Sequence, residues 1–259
     1  MKIRFALAVV LSLVLLSCDR CEGDKNPDSE TVNELPDVVH MVRRISYDTE
    51  ASGVCEFEYD SHGRLVRVWF ESSLQERTPT MAYQYGGDYI KVMLHDEKPV
   101  DLKFESGYLC EDWMDGHKYY EFRYNDSGVL SGISDCEDGH GKSFVWNDGN
   151  LISMIDHKGD AEHLEYTEYP NDYSIDFGLG LGLYSCGIPA HEFMYLRFPG
   201  ITSRNLVSRS YNWFVCTSHE MSYEFDEKGR VSAITVRCSG CEHREPGTAE
   251  GKMFVEYYE

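Results

Sequence analysis

The chain is poor in positive charge. Its 259 residues hold 24 Lys and Arg against 45 Asp and Glu, a formal net charge of −21. Nucleic acid is bound by Lys and Arg that displace counterions, so this balance argues against a nucleic-acid partner. It argues equally against loose adsorption to anionic lipid. Catalytic signatures are missing as well. The ten histidines form no His-Glu-x-x-His and no paired ligand motif, and no Gly-x-Ser-x-Gly occurs. Gly178-Leu179-Gly180-Leu181-Gly182-Leu183 alternates glycine with leucine, but Leu183 stands where a dinucleotide fingerprint needs glycine, and no Lys-Ser or Lys-Thr follows. No cofactor is implied. No apolar run reaches the roughly 20 residues of a membrane-spanning helix.

What is present begins at the N-terminus. Lys2 and Arg4 precede an apolar run from Phe5 to Leu16 that only Ser12 interrupts, the layout of a signal peptide. The run ends in Leu15-Leu16-Ser17-Cys18, which resembles the lipobox of secreted bacterial lipoproteins. The resemblance implies cleavage before Cys18, lipid on that cysteine, and the membrane as a partner through this anchor. Loss of Lys2 and Arg4 takes the net charge from −21 to −23. The expected organisation is a signal peptide over 1–17, a flexible acidic tether over 18–36 and a single β-rich domain over 37–259. Asp19, Glu22 and Asp24, interrupted by Arg20 and Cys21, partly match the surface-export signal of Bacteroidota lipoproteins. That match implies an outer-membrane lipoprotein, surface-exposed rather than periplasmic.

The body has a period of two. Cys55, Phe57 and Tyr59 alternate with Glu56 and Glu58; Val100, Leu102 and Phe104 with Asp101 and Lys103; Tyr120, Phe122 and Tyr124 with Glu121 and Arg123. Short alternating runs are strands with one wet and one dry face. Asp60-Ser61-His62-Gly63, Asn125-Asp126-Ser127-Gly128 and Asp226-Glu227-Lys228-Gly229 share one turn chemistry. Asp or Asn opens a type I turn, and Gly takes the left-handed position that closes it. Turn starts at 60, 86, 105, 125 and 147 make a degenerate repeat of one hairpin per unit. The spacing predicts an all-β antiparallel meander of about a dozen strands, curled into an open barrel-like or two-layer sheet. One irregular insertion, about 170–205, interrupts it. Its apolar content, with Phe177, Leu179, Leu196 and Phe198 among it, reads as a plug over an open end rather than a binding loop. His191 to Phe198 within it reads as a short helix or strand.

Tyr59-Asp60-Ser61-His62-Gly63-Arg64-Leu65, echoed by Phe225-Asp226-Glu227-Lys228-Gly229-Arg230-Val231, resembles the YD/RHS repeat. With the lipobox, the chain resembles Bacteroidota outer-membrane lipoproteins of the DUF4595 type, which carry a late Ser-Lys-Asn-Leu-like motif. Thr202-Ser203-Arg204-Asn205-Leu206-Val207 matches it with Arg for Lys. The resemblance implies an all-β extracytoplasmic lipoprotein and transfers no activity.

An oxidising compartment permits disulfides. Pairing Phe225 with Arg230 puts Cys216 opposite position 239, so Cys216 is expected to bridge to Cys238 or Cys241. The same reasoning puts Cys136 opposite His117, a whole strand away from Cys110, too far for those two to bridge. Cys238-x-x-Cys241-x-His243 has metal-like spacing, but a zinc site needs a fourth ligand and none is visible. No catalytic residue is assigned. Glu56 with Glu58, or Asp135 with Glu137, would suit a hydrolase, while a solvated acidic strand face explains both pairs more simply. Trp69, Trp113, Trp146 and Trp213 could stack on sugars or simply pack across strands. The reading is a non-catalytic, membrane-anchored envelope lipoprotein with a protein or glycan partner. The alternatives are a glycan-acting extracytoplasmic hydrolase using a carboxylate pair, and a structural envelope component.

Overall fold

The computed structural model describes residues 40–48, 53–72, 75–94, 98–175, 196–212, 217–239 and 249–259. Sixteen strands run as eight hairpins: β1 (Val42–Asp48) with β2 (Gly53–Tyr59), β3 (Leu65–Ser72) with β4 (Gln75–Tyr85), β5 (Tyr89–Leu94) with β6 (Val100–Glu105), and β7 (Tyr108–Met114) with β8 (His117–Tyr124). The series continues with β9 (Leu130–Asp135) and β10 (Gly141–Asn147), β11 (Asn150–Asp156) and β12 (Ala161–Pro170), β13 (Asn205–Asn212) and β14 (Thr217–Phe225), and β15 (Val231–Ser239) and β16 (Ala249–Tyr257). Each strand pairs antiparallel with its neighbours in sequence, and β1 pairs with β16, so the sheet is a closed barrel. The meander is as expected, but the open form and the count of about a dozen strands are corrected to a closed ring of sixteen. Closure removes both exposed edges, which an open meander of this size would leave unpaired.

The barrel has two poles. The near pole holds His40, Tyr258 and the connections that lead from one hairpin to the next. The far pole holds the turns within hairpins. At the near pole the turn chemistry is as read. Asp60 Oδ1 accepts the amides of His62 and Arg64, and Asp226 Oδ1 those of Lys228 and Arg230. Gly63 and Gly229 close these turns at φ of 76° and 78°. Arg64 and Arg230 then chelate the same carboxylates and lie 4.5 and 4.6 Å over the Tyr85 and Tyr257 rings.

One device recurs around this pole. The register slips at Val42, Leu65, Leu109, Leu130, Leu151, Val207 and Val231. A bulge leaves a backbone group out of the ladder and adds twist. In every case an aromatic near the end of the returning strand of that hairpin donates to the carbonyl: Tyr59 to Val42 and Tyr85 to Leu65 at 2.8 Å, Tyr124 to Leu109 at 2.9 Å. Trp146 donates to Leu130, Tyr166 to Leu151 and Tyr223 to Val207, each at 2.6 Å, and Tyr257 to Val231 at 2.8 Å. Burial lifts the Tyr59, Tyr85, Tyr124 and Tyr257 phenols well above the ordinary 10, so they remain donors. The β5–β6 hairpin has Phe104 instead, and its ring packs on Phe198 at 5.3 Å.

Phe198 belongs to the insertion, whose described parts are 171–175 and 196–204. They are irregular, so the short helix or strand read over His191 to Phe198 is corrected for Leu196–Phe198; 191–195 lie outside the described residues. Tyr173, Ile175, Leu196, Phe198 and Ile201 are buried at 1–5 % exposure. Their neighbours come from all round the ring: His40 bonds Asp172 and Ser174, the Tyr173 hydroxyl accepts from Val231, and Leu130 donates to Gly200. The described ends of the insertion are therefore packed into the near pole.

Inward side chains form one connected core from Val42 to Val255. A round sixteen-strand tube leaves a water channel. Here Phe57, Val92, Leu102, Leu109 and Ile234 are buried at 0–1 %, so they meet protein rather than water.

Candidate functional site inside the far half of the barrel

The residues singled out from the sequence divide plainly once they are placed. Cys18, Cys216, Cys241, His243 and Trp213 lie outside the described residues. Cys238 is on β15, where it faces His219 and Ala249. The pairing behind the disulfide expectation is corrected: Phe225 faces Val231, and a bulge then adds a further residue, so His219 rather than position 217 faces Cys238. Cys136 is likewise opposite Tyr119 rather than His117, its amide bonding the Tyr119 carbonyl. The strand β8 still separates it from Cys110.

The carboxylates of the hydrolase alternative are already engaged. Glu56 and Glu58 point outward, paired with Arg77 at 2.8 Å and Arg67 at 3.2 Å. Asp135 Oδ1 accepts the amides of Glu137 and Asp138 and so holds its turn. Trp69 lies under Arg77 at 4.2 Å and donates to Glu58, and Lys103 covers Trp113 at 3.5 Å. These ring faces are occupied, which suits cross-strand packing and not sugar stacking. Trp146 is a bulge-filling donor. In the late motif, Ser203 Oγ accepts from Leu151 and pairs with Tyr166, and Asn205 exchanges bonds with Asn150. The motif docks the chain where it re-enters the sheet.

A different group of residues comes together inside the far half. Asp112 on β7 faces Tyr120 on β8, which faces Asp135 on β9. Lys142 on β10 faces Asp156 on β11. Glu162 on β12 lies diagonal to Ser210 on β13, which faces His219 on β14. Each sits on the inward parity: Leu102 faces Asp112, Leu164 faces Ser210, and Lys142 is two residues from Phe144. This polar half-belt occupies β7 to β14 and stops where Leu102 and Cys238 take over. Asp112 and Glu162 are 3 % exposed and Ser210 1 %, so they are not part of a solvated face.

The electrostatics follow from burial. Lys142 is held below the usual lysine range by desolvation, against the pull of Asp156 and Glu162. Desolvation also lowers His219 below 6.5. Ser210 Oγ and His219 Nδ1 are 3.4 Å apart, long for a hydrogen bond. Ser210 is deeply buried, so its hydroxyl does not face water. Asp112, Glu162 and Ser210 form the buried floor of the belt, while Tyr120, Lys142, Asp156 and His219 are half-buried and set donors, acceptors and charge against an apolar wall, the composition of a binding surface. The sequence carries a signal for it: a charged or polar residue on the apolar parity of a strand, as in Lys142, Phe144, Trp146 and in Glu162, Leu164, Tyr166.

The lowered His219 pKa has a consequence for stability. Below about pH 6.5 the unfolded chain takes up a proton that the folded chain refuses, so stability falls with pH until the folded pKa is passed. Urea midpoints measured from pH 7.5 down to about 5.5 should decline, and His219→Gln should flatten part of that slope. Equal slopes in the two proteins would contradict the burial of a neutral imidazole.

No protein-family model matches the chain, and no curated protein matches it. Among solved structures it is similar to a porin-like protein from Bacteroides uniformis ATCC 8492, with TM-score 0.59 and 11 % identity over 84 % of this chain and 96 % of that one. A porin-like protein from Bacteroides vulgatus ATCC 8482 gives TM-score 0.49 and 13 % identity over 84 % and 99 %. At 11 % identity the first likeness speaks for the all-β barrel fold alone.

Proposed function

We propose that the chain is a non-catalytic lipoprotein of the bacterial outer membrane, anchored by lipid on Cys18 and displayed on the surface. Its barrel is a binding module, and the polar half-belt is the ligand face. It belongs on this reading with the Bacteroidota lipoproteins whose turn motifs it resembles. One observation supports the arrangement. Residue 40 enters the barrel at the near pole. The N-terminal segment then joins the barrel at the pole where the insertion docks, and the polar wall lies toward the other pole. The hydrolase alternative loses support because Glu56, Glu58 and Asp135 are engaged in ion pairs and a turn.

The test uses the intact protein, immobilised through its N-terminal segment, against solubilised native envelope and a glycan array. A captured protein or glycan that Glu162→Gln with Lys142→Met no longer retains is the expected result. Nothing captured in either format, or capture indifferent to the paired substitution, overturns the binding reading. Metabolic labelling with a palmitate analogue, lost in Cys18→Ser, tests the anchor separately.

A further inference from the structure

We infer that this closed barrel does not cross a membrane: it stands entirely in water, and lipid reaches the protein only through its N-terminal segment. Three independent features of the wall carry the inference. First, the outer surface carries cross-strand ion pairs on ten of the sixteen strands. Glu58–Arg67 spans β2 and β3 at 3.2 Å, Lys91–Asp101 spans β5 and β6 at 3.5 Å, and Lys118–Glu111 spans β7 and β8 at 3.2 Å. Arg209–Glu165 spans β12 and β13 at 3.9 Å, and Arg237–Glu250 spans β15 and β16 at 2.6 Å. A membrane-spanning barrel needs an unbroken apolar band of about 25 Å on this face.

Second, apart from the polar half-belt, the dry face is the inner one. Spanning barrels alternate apolar outside with polar inside. Here Phe57, Leu102 and Ile234 point inward and are buried, while their strand neighbours Glu56, Asp101 and Thr235 take the outer side. A one-residue shift of parity would be required in every strand to reverse this. Third, much of the wall is too low, since eleven of the sixteen strands have only six to eight residues. β5, β6 and β9 have six residues each, whereas a tilted spanning strand needs about 9–11.

Where the barrel sits does not depend on whether Cys18 is lipidated, so one flotation experiment separates the two readings. The full-length chain and its Cys18→Ser variant are mixed with vesicles of phosphatidylethanolamine and phosphatidylglycerol and spun through a density gradient. Cys18→Ser is expected to stay in the dense aqueous fraction without detergent; its flotation would overturn the inference. A native chain that also fails to float refutes the anchor and supports the water-bathed barrel. On native protein that does float, Lys252→Cys places a thiol at mid-height on the outer face of β16. A membrane-impermeant maleimide should label it as fast in vesicles as in detergent, relative to the unsubstituted chain. Slowing by about tenfold or more in vesicles, as lipid cover would produce, overturns the inference.

Discussion

Phe198→Ala should lower the stability of the barrel by about 3–5 kcal/mol, the usual cost of emptying a buried phenylalanine site. Phe198 is 4 % exposed, and its ring lies on Phe104 at 5.3 Å. That contact falls at the hairpin whose closing aromatic, Phe104, has no polar donor, so the insertion supplies there by packing what a hydrogen bond supplies elsewhere. Its backbone is pinned as well, with the amide on Thr202 Oγ1 and the carbonyl accepting from Ile201 and Thr202. The hole cannot collapse easily between a fixed loop and a closed sheet. For a domain of this size the loss corresponds to a drop in Tm of roughly 6–20 °C. Phe254→Ala is the reference: that ring is 43 % exposed on the outer wall, and its loss should change stability by less than about 0.5 kcal/mol. Thermal melts of the two variants side by side check this packing. Equal effects would mean that the insertion lies on the barrel without packing into it.

Gly200→Ala should cost about 3 kcal/mol or more, by a collision between backbones rather than by emptying a packed site. Gly200 has φ of 73°, and a Cβ there would stand 2.1 Å from the Gly128 carbonyl oxygen. That oxygen belongs to the 125–128 turn, held by the Gly128 amide on the Asn125 carbonyl and by Asn125 Oδ1 on the Ser127 and Val129 amides. Neither backbone can step aside, and the Leu130 amide bond to the Gly200 carbonyl at 2.8 Å would go with any displacement. Gly63→Ala separates strain from collision. Gly63 has φ of 76° with open space around it, so only the left-handed penalty of about 1–2 kcal/mol applies. A denaturant series should place Gly200→Ala well below Gly63→Ala. If the two are equally stable, the insertion does not dock on that turn.

The hairpin plan was legible because it is written in local chemistry. Asp60 to Gly63 and Asp226 to Gly229 read as turns, and they are turns with the expected amide acceptors. Alternation such as Cys55, Phe57, Tyr59 read as strands with one dry face, and those residues line the core. Strands were missed where bulges shift the phase. β11 has Leu151 and Met154 inward, three apart, because the register slips between Val145 and Trp146. A period of two cannot survive an inserted residue. Such slips also moved the residue facing Cys238 from position 217 to His219, and the residue facing Cys136 from His117 to Tyr119. Closure was not legible at all, since the pairing of β1 with β16 joins residues such as Ile45 and Val255 that no local pattern relates. The half-belt was hidden for a related reason. A lone Lys142 or His219 on an apolar parity means little until neighbouring strands set such residues at one level. The tyrosines announced core packing, but their hydroxyls answer bulge carbonyls on another strand.

A barrel that is closed, filled and wet on the outside should carry no current. The most direct test is therefore electrical. Purified full-length protein, with its N-terminal lipid intact, is presented to a planar bilayer in about 1 M salt, conditions in which a water-filled sixteen-strand tube passes ions. The expected result is bilayer binding with the membrane current at its protein-free baseline. Stepwise, ohmic openings that scale with the amount of protein would contradict a filled barrel outside the membrane.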